Sequence, residues 1–513
     1  MNEDSPIVPK HVAYGLLTAL LVYAGVRSVF AAAGKPLWYD EILTLTVTSL
    51  DTWSARLHAL QLPLDGQPPL FYWIEHLALP LSRHPETALR LPSIAAFLVA
   101  IICVFVYVRK RAGETVAFLC AFVLLLTDVF LLYALEARPY SMVFACVAFA
   151  LVCYQRLPSP SWTVLLAISL ALAQSLHYLA VLTMIPFGLA ELVLVLQTRR
   201  IRWQVWAALA SGAIPLFFEW RLLKINQTYY GAHFWAKFHL IFLPSTYGEY
   251  LETTSRVAAG IVVVILFAIV RKVLSAWRNP NLSSDAKTAE LVEATLLVGL
   301  IALPFIAYMI TSVAHAGLTA RYVLCTVLGL TLSIGFLLGR ASRKTVALFA
   351  TFVFMVSGLN ELHFWRLLKQ DVDELRTRSA VFSTFIQSAG YGDLPVVVLD
   401  ASHYLEFVHY APADLDGRLV LLIRQPTPAD VNFTDTIYKA MQLLPPYVPV
   451  RTYLWSDFLA KRDIFLVYEE WKNAPENFPT RDLVVPERSL RVIASNETRV
   501  LYLATRRQKT TAE

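Results

Sequence analysis

Two stretches of this chain set charged side chains beside long apolar runs, and both hold residue types suited to group transfer. "KPLWYDEILTLT" at 35–46 contains the adjacent acids Asp40 and Glu41, and "YALEARPYS" at 133–141 contains Glu136, Arg138 and Tyr140. A carboxylate can act as general base toward a hydroxyl, worth about 10²–10⁴-fold in rate. An arginine presents a planar fork that holds a phosphate through parallel hydrogen bonds. Ionisable groups at membrane depth are costly, so each marks a candidate site with a partner to be found.

Neighbouring residues sharpen these roles. Asp40 is expected to cap a helix running through "EILTLTVTSL". Side chains adjacent in sequence diverge on a helix, so one of Asp40 and Glu41 faces a cavity and the other faces structure. "LDGQPPLFYWIEHL" at 64–77 adds Asp65 and Gln67. There Pro68 and Pro69 hold Gln67 and Pro68 extended and start an aromatic-rich helix. Pro139 disfavours helical geometry at Arg138 and opens the next helix. Arg138 therefore stands at a helix N-terminus, where unpaired N–H groups and the macrodipole already favour an anion. Glu136 can pair with Arg138 or hold a second cation. "SLHYL" places His177 and Tyr178 in another turn, and "HAGLTARY" places His315, Arg321 and Tyr322 in a third. Arg321, before an apolar run, repeats the logic of Arg138. Taken singly, a snorkelling arginine, a capping acid or a Pro-stiffened turn explains each feature.

The elements that must position them are read from hydropathy. The 513 residues are 57% hydrophobic and only 16% charged, against about 25% charge in soluble domains. Apolar windows near the length of a spanning helix fall at 12–33, 90–108, 115–134, 139–154, 162–177, 179–196, 203–220, 256–271, 291–311, 320–339 and 345–359. The expected fold is a polytopic α-helical membrane protein of about eleven spans. The first window is too long for a signal-peptide core and reads as a retained helix. Basic residues collect in alternate turns, "RKR" at 109–111, Arg156, "RRIR" at 199–202, Arg271, Lys272 and Arg278, and "GRASRK" at 339–344. The positive-inside rule puts these turns and the N-terminus in the cytoplasm. Asp40, Asp65, Arg138 and Arg321 then share the outer face. The net charge of +6 belongs to loops and headgroups rather than to a nucleic-acid surface. All five cysteines lie in apolar runs, without metal or redox spacing, and read as buried structural thiols.

Two long outer loops, 34–89 and 221–255, stand out. In "DTWSARLHALQL", Trp53, Leu57 and Leu60 share a helical face opposite Asp51, Arg56 and Gln61. That pattern suits either a helix lying on the membrane surface or one packed on the spans. The chain divides into a membrane domain, 1–360, and a tail, 361–513. The tail opens helix-like, then carries the strand-like segments "PVVVLD", "RLVLLI", "DIFLVY" and "RVLYLA". This predicts a small α/β domain without a Gly-rich nucleotide fingerprint, nucleophile elbow or metal motif.

A base-bearing loop and two arginines on one face are the layout for moving a group from a lipid phosphate to an acceptor. A transporter or flippase for such lipids would need mid-membrane polar residues or inverted repeats with broken helices, and neither is evident. A non-catalytic binder of polyprenyl-linked sugars is the other alternative. The order "WYDE", "DGQPPLFYW", "LRLPSIAAFL", "YALEARPYS", "HY" and "ARYVLCTVLGL" resembles the GT-C membrane glycosyltransferases over about residues 12–340. Within them it is similar to the bacterial glycosyltransferase-39-like group, related to protein mannosyltransferases and lipid A aminoarabinose transferases. The resemblance implies an inverting transfer from an undecaprenyl- or other polyprenyl-phosphate sugar, at the periplasmic face of a bacterial inner membrane, to a lipid, glycan or protein. It assigns Asp40 as base, and Glu41 and Asp65 as accessory acids orienting the acceptor or holding a divalent metal ion. Arg138 and Arg321 become donor-phosphate contacts supported by Glu136 and Tyr140. Gln67 stands where many members have His, so no metal or proton role carries over to it.

Overall fold

The computed structural model describes residues 8–127, 133–231, 236, 239–251, 253–314, 317–339, 341–412, 415, 417–423, 436–470, 488–496 and 499–506. His315 lies outside the described residues. In chain order the helices begin with α1 (Lys10–Gly34), α2 (Tyr39–Thr48), α3 (Trp53–Gln61), α4 (Pro69–Ala78), α5 (Pro85–Ala88) and α6 (Leu91–Leu125). There follow α7 (Tyr140–Tyr154), α8 (Pro160–Leu176), α9 (Met184–Thr198), α10 (Trp203–Gly212), α11 (Ile214–Tyr230), α12 (Leu243–Tyr250) and α13 (Ser255–Arg278). The series closes with α14 (Ser284–Ile301), α15 (Leu303–Ala314), α16 (Thr326–Leu338), α17 (Arg343–Ser388), α18 (Ala401–Tyr410), α19 (Thr436–Leu443) and α20 (Trp455–Lys461). The six strands are β1 (Val396–Val398), β2 (Leu419–Ile423), β3 (Thr452–Leu454), β4 (Ile464–Glu470), β5 (Arg488–Ser495) and β6 (Arg499–Arg506).

By packing, the chain forms two compact units. The first comprises 1–34, 67–224 and 236–368; the second comprises 35–66, 225–235 and 369–513.

In the first unit the described part of every apolar window is mainly helical, but the lengths do not support the expected eleven spans. Among the described residues, five helical stretches are long and apolar enough to cross a membrane, or six if the α14–α15 pair, bent by 57°, counts as one. The apolar helices α7, α8 and α16 have 10–17 residues, short of the roughly 20 that a hydrocarbon core needs. One long stretch, α6, is itself broken where Gly113 adopts φ +80° and ψ 175°. Only glycine tolerates that conformation without strain, so the chain turns immediately after Arg109, Lys110 and Arg111.

The basic turns meet at one end of this unit. Lys110 donates to the Gln155 carbonyl at 2.8 Å, and Arg109 bonds the Tyr14 hydroxyl. Arg111 and Lys272 both lie over the Phe336 ring, at 5.1 and 4.3 Å. Arg202 bonds the buried Glu191, which also accepts from the Tyr154 hydroxyl at 2.7 Å. Glu191 thereby has a cation and a hydroxyl, the arrangement that makes a buried charge tolerable.

The second unit is built on one mixed sheet in the order β3-β2-β1-β4-β6-β5. Strands β1 to β4 run parallel, with Val396 beside both Leu419 and Leu466. Strand β6 returns antiparallel along β4, pairing Tyr468 with Leu501. One face buries Val397, Val420, Leu422, Phe458, Phe465 and Val467. The Phe382 ring of α17 stacks on Phe407 of α18 at 3.9 Å. The expected α/β domain is present with all four expected strands, and β3 and β5 are additional.

Candidate active site

In the first unit, three turns distant in sequence bring their polar residues together. Before α7, the Ser93 hydroxyl donates to the Arg138 carbonyl at 3.0 Å, and the Ser141 hydroxyl to the Tyr133 carbonyl at 2.8 Å. These bonds pin the turn, and Pro139, at φ −73°, occupies the N-cap of α7 as its fixed φ allows. Arg138 is 4% exposed and Tyr140 3%. Between α8 and the following 3₁₀ turn (Tyr178–Thr183), His177 caps by accepting from the Leu179 N–H at Nδ1, 3.2 Å away. Its proton is thus on Nε2. In the third turn (Ala320–Val323), the buried Tyr250 hydroxyl donates to the Ala320 carbonyl at 2.5 Å.

These three turns converge on a shared aromatic floor. The Tyr322 ring lies 5.0 Å from His177 and 6.2 Å from Tyr140, and Tyr140 lies 5.6 Å from both His177 and Tyr133. The Arg321 guanidinium sits 5.6 Å over Tyr140 and 5.8 Å over Tyr322, within cation–π range. The charges of Arg138 and Arg321 both reach His177. Arg138, Tyr140, His177, Arg321 and Tyr322 therefore form one cluster. Glu136 borders it, acting electrostatically on Tyr133 together with Glu249 of α12. Tyr178 is buried in the neighbouring turn, where its carbonyl accepts from Gln174 at 3.1 Å. Gln67 is buried just before Pro68, the N-cap of α4.

Two residues of α12, Glu249 and Tyr250, join this neighbourhood through Tyr133 and the Ala320 carbonyl. Their signal was "YGEY" at 247–250, an acid flanked by tyrosines in the second long loop.

The carboxylates of the first loop lie in the second unit. Trp38, not Asp40, takes the N-cap of α2, and the Glu41 carboxylate accepts from the Trp38 N–H at 3.4 Å. Glu41, at 0% exposure, is the acid that faces structure, whereas Asp40 is half-buried in the first turn of α2. Asp65 is buried and accepts from the Gly66 N–H at 2.7 Å. Tyr410 of α18 fixes the start of this loop by accepting from the Leu37 N–H at 2.7 Å. In α3 the expected faces are exchanged at two positions: Arg56 is buried with Ala59 and Leu60, while Trp53 is 45% exposed. The charge of Asp51 reaches Arg56, and an arginine stem packs as apolar surface.

Among the described residues, no three His, Cys, Asp or Glu side chains gather as a metal ion would need.

Membrane-length helices, an arginine-and-tyrosine cluster at helix starts and an appended α/β sheet make up an ArnT-like fold. Residues 66–220, which carry Gln67, Arg138, Tyr140 and His177, match the family model for dolichyl-phosphate-mannose-protein mannosyltransferase. The chain is similar over 95% of its length to ArnT from Cupriavidus metallidurans bound to undecaprenyl phosphate, covering 97% of that chain at 15% identity and TM-score 0.54. The apo state of the same ArnT matches over the same shares at 16% identity and TM-score 0.52. No curated protein sequence matches the chain.

Proposed function

We propose that this protein transfers a sugar from a polyprenyl-phosphate donor to a hydroxyl-bearing envelope acceptor, a lipid, glycan or protein, at the periplasmic face of a bacterial inner membrane. The observation that carries this reading is the convergence of Arg138 and Arg321 on the tyrosine and histidine floor at the start of α7. Two guanidinium groups beside a positive helix end form a seat for one phosphate. The fold relative bound to undecaprenyl phosphate supports a polyprenyl phosphate as occupant.

In the proposed reaction, the Asp40 carboxylate takes the proton of the acceptor hydroxyl as its oxygen attacks the anomeric carbon. The bond from that carbon to the phosphate oxygen breaks, and the polyprenyl phosphate leaves with the electron pair. Attack opposite the leaving group inverts the anomeric centre. Arg138 and Arg321 stabilise the charge that grows on the leaving phosphate, an electrostatic contribution made in place before reaction. Glu41, bonded to the Trp38 N–H, fixes the helix start that carries Asp40. Asp65 shapes the turn before Gln67 through its bond to Gly66. Glu136 and Tyr140 hold the arginines in place.

The test uses full-length protein in proteoliposomes supplied with lipid-linked sugars extracted from the envelope. Asp40→Asn is expected to abolish sugar transfer by at least about 10²-fold while leaving retention of the lipid donor unchanged. Undiminished transfer by that variant would remove Asp40 as base. Donor binding without turnover in the unaltered protein would favour the binder or flippase alternative.

A further inference from the structure

A cavity of about 300 Å³ opens at the basic end of the first unit. Its polar lining is Lys272 and Ser275 of α13 with Asn279 at the α13 C-cap; Leu282, Leu337 and Ala341 supply apolar walls. Lys272 in this lining is held over the Phe336 ring and donates to the Phe336 carbonyl. No acid occurs in residues 255–284 or 326–360, the two segments that build the cavity, while Arg271, Lys272, Arg278, Arg343 and Lys344 all do. Glu293, whose charge reaches Lys272, is taken by Arg111 at 3.2 Å and by the Tyr107 hydroxyl at 3.3 Å. The residual field is therefore positive.

The cavity's depth indicates the source of its ligand. On α13, Val270, Leu274 and Trp277 are 52%, 49% and 44% exposed, the composition of a lipid-facing flank. A tryptophan at a span end marks headgroup level. A cation and an amide beside aliphatic walls, at that level, match an amphipathic anion better than a soluble one. Basic pockets between spanning helices are suited to anionic headgroups.

We propose that this cavity seats the phosphate headgroup of an anionic membrane lipid. Occupancy ties the α13 end to the α16–α17 turn and stabilises the first unit independently of sugar transfer. The experiment follows thermal unfolding of the detergent-solubilised full chain while titrating phosphatidylglycerol, phosphatidylcholine or inorganic phosphate. Phosphatidylglycerol is expected to raise the unfolding midpoint, and the other two are not. Lys272→Ala should weaken the apparent affinity about fivefold, the worth of one basic side chain at a membrane surface. Because Lys272 also braces Phe336, Ser275→Trp serves as a second variant that fills the cavity from an exposed position; it should abolish the shift. Arg200→Ala, in a different basic turn, should leave it unchanged. Equal stabilisation by phosphatidylcholine, a full shift with inorganic phosphate alone, no shift at all, or a shift retained in Ser275→Trp would each overturn the proposal.

Discussion

Arg138 and Arg321 face the same phosphate in the proposed reaction, yet they are held differently, and substitution should distinguish them. Arg138 is almost wholly buried in a turn pinned by Ser93, whereas Arg321 is half-buried over two tyrosine rings. A hydrogen bond to a charged group is worth about 1.5–3 kcal/mol. Arg138→Lys keeps the charge but loses the fork, and donor use should fall about 10–100-fold, read as kcat/KM for the lipid donor. Arg321→Lys should cost less, because an ammonium over Tyr140 and Tyr322 retains the cation–π contact. An unchanged donor KM in Arg138→Lys would reduce that residue to an interfacial anchor. Arg138 was legible in the sequence because Pro139 marks a helix start beside it. The division of labour between Asp40 and Glu41 was not, because two adjacent acids at a helix start differ only in which one the packing turns inward.

At the scale of elements, hydropathy located the helices but not where they break or continue. The α6 corner shows why. A window of apolar residues reports burial, whereas the turn depends on the one position, Gly113, that can adopt φ +80°. A side chain at such a position costs on the order of 1–3 kcal/mol. Gly113→Ala should therefore lower the unfolding midpoint of the solubilised protein while leaving the donor KM near its original value, since the arginine cluster lies elsewhere in the unit. An unaltered midpoint would show that the corner relaxes without strain. Close approach has a similar cost on α16, where a Cβ on Gly329 would meet the Ile301 backbone nitrogen at 2.8 Å. The opposite holds at α17. Residues expected as a span followed by a separate helix form one helix of 46 residues, because no proline interrupts it and good helix formers carry it onward. In the sheet, β5 escaped notice because it is an edge strand, with a bulge between Val492 and Ala494 that obscures its alternation.

For the whole molecule the decisive question is which end of the first unit faces the cytoplasm. The contacts of Lys110 with Gln155, Arg109 with Tyr14 and Arg111 with Phe336 gather the basic turns at the Tyr154 end of α7. The Arg138 cluster stands at the Tyr140 end, about 22 Å away for a 15-residue helix. By the positive-inside rule we propose that the first end is cytoplasmic; the proposed chemistry is then periplasmic, and the same side is proposed for the residues after about 360. The native thiols make this accessible to measurement, because Cys103, Cys120, Cys153 and Cys325 are buried and Cys146 is half-buried. Labelling by a membrane-impermeant maleimide should therefore report an introduced cysteine above a low background. Lys461→Cys, exposed at the end of α20, should label in cells whose outer membrane alone has been opened. Arg200→Cys, exposed between α9 and α10, should label only after the inner membrane is also permeabilised. The opposite pattern would place the arginine cluster on the cytoplasmic side, where the transfer proposed for it would have to draw on a different acceptor.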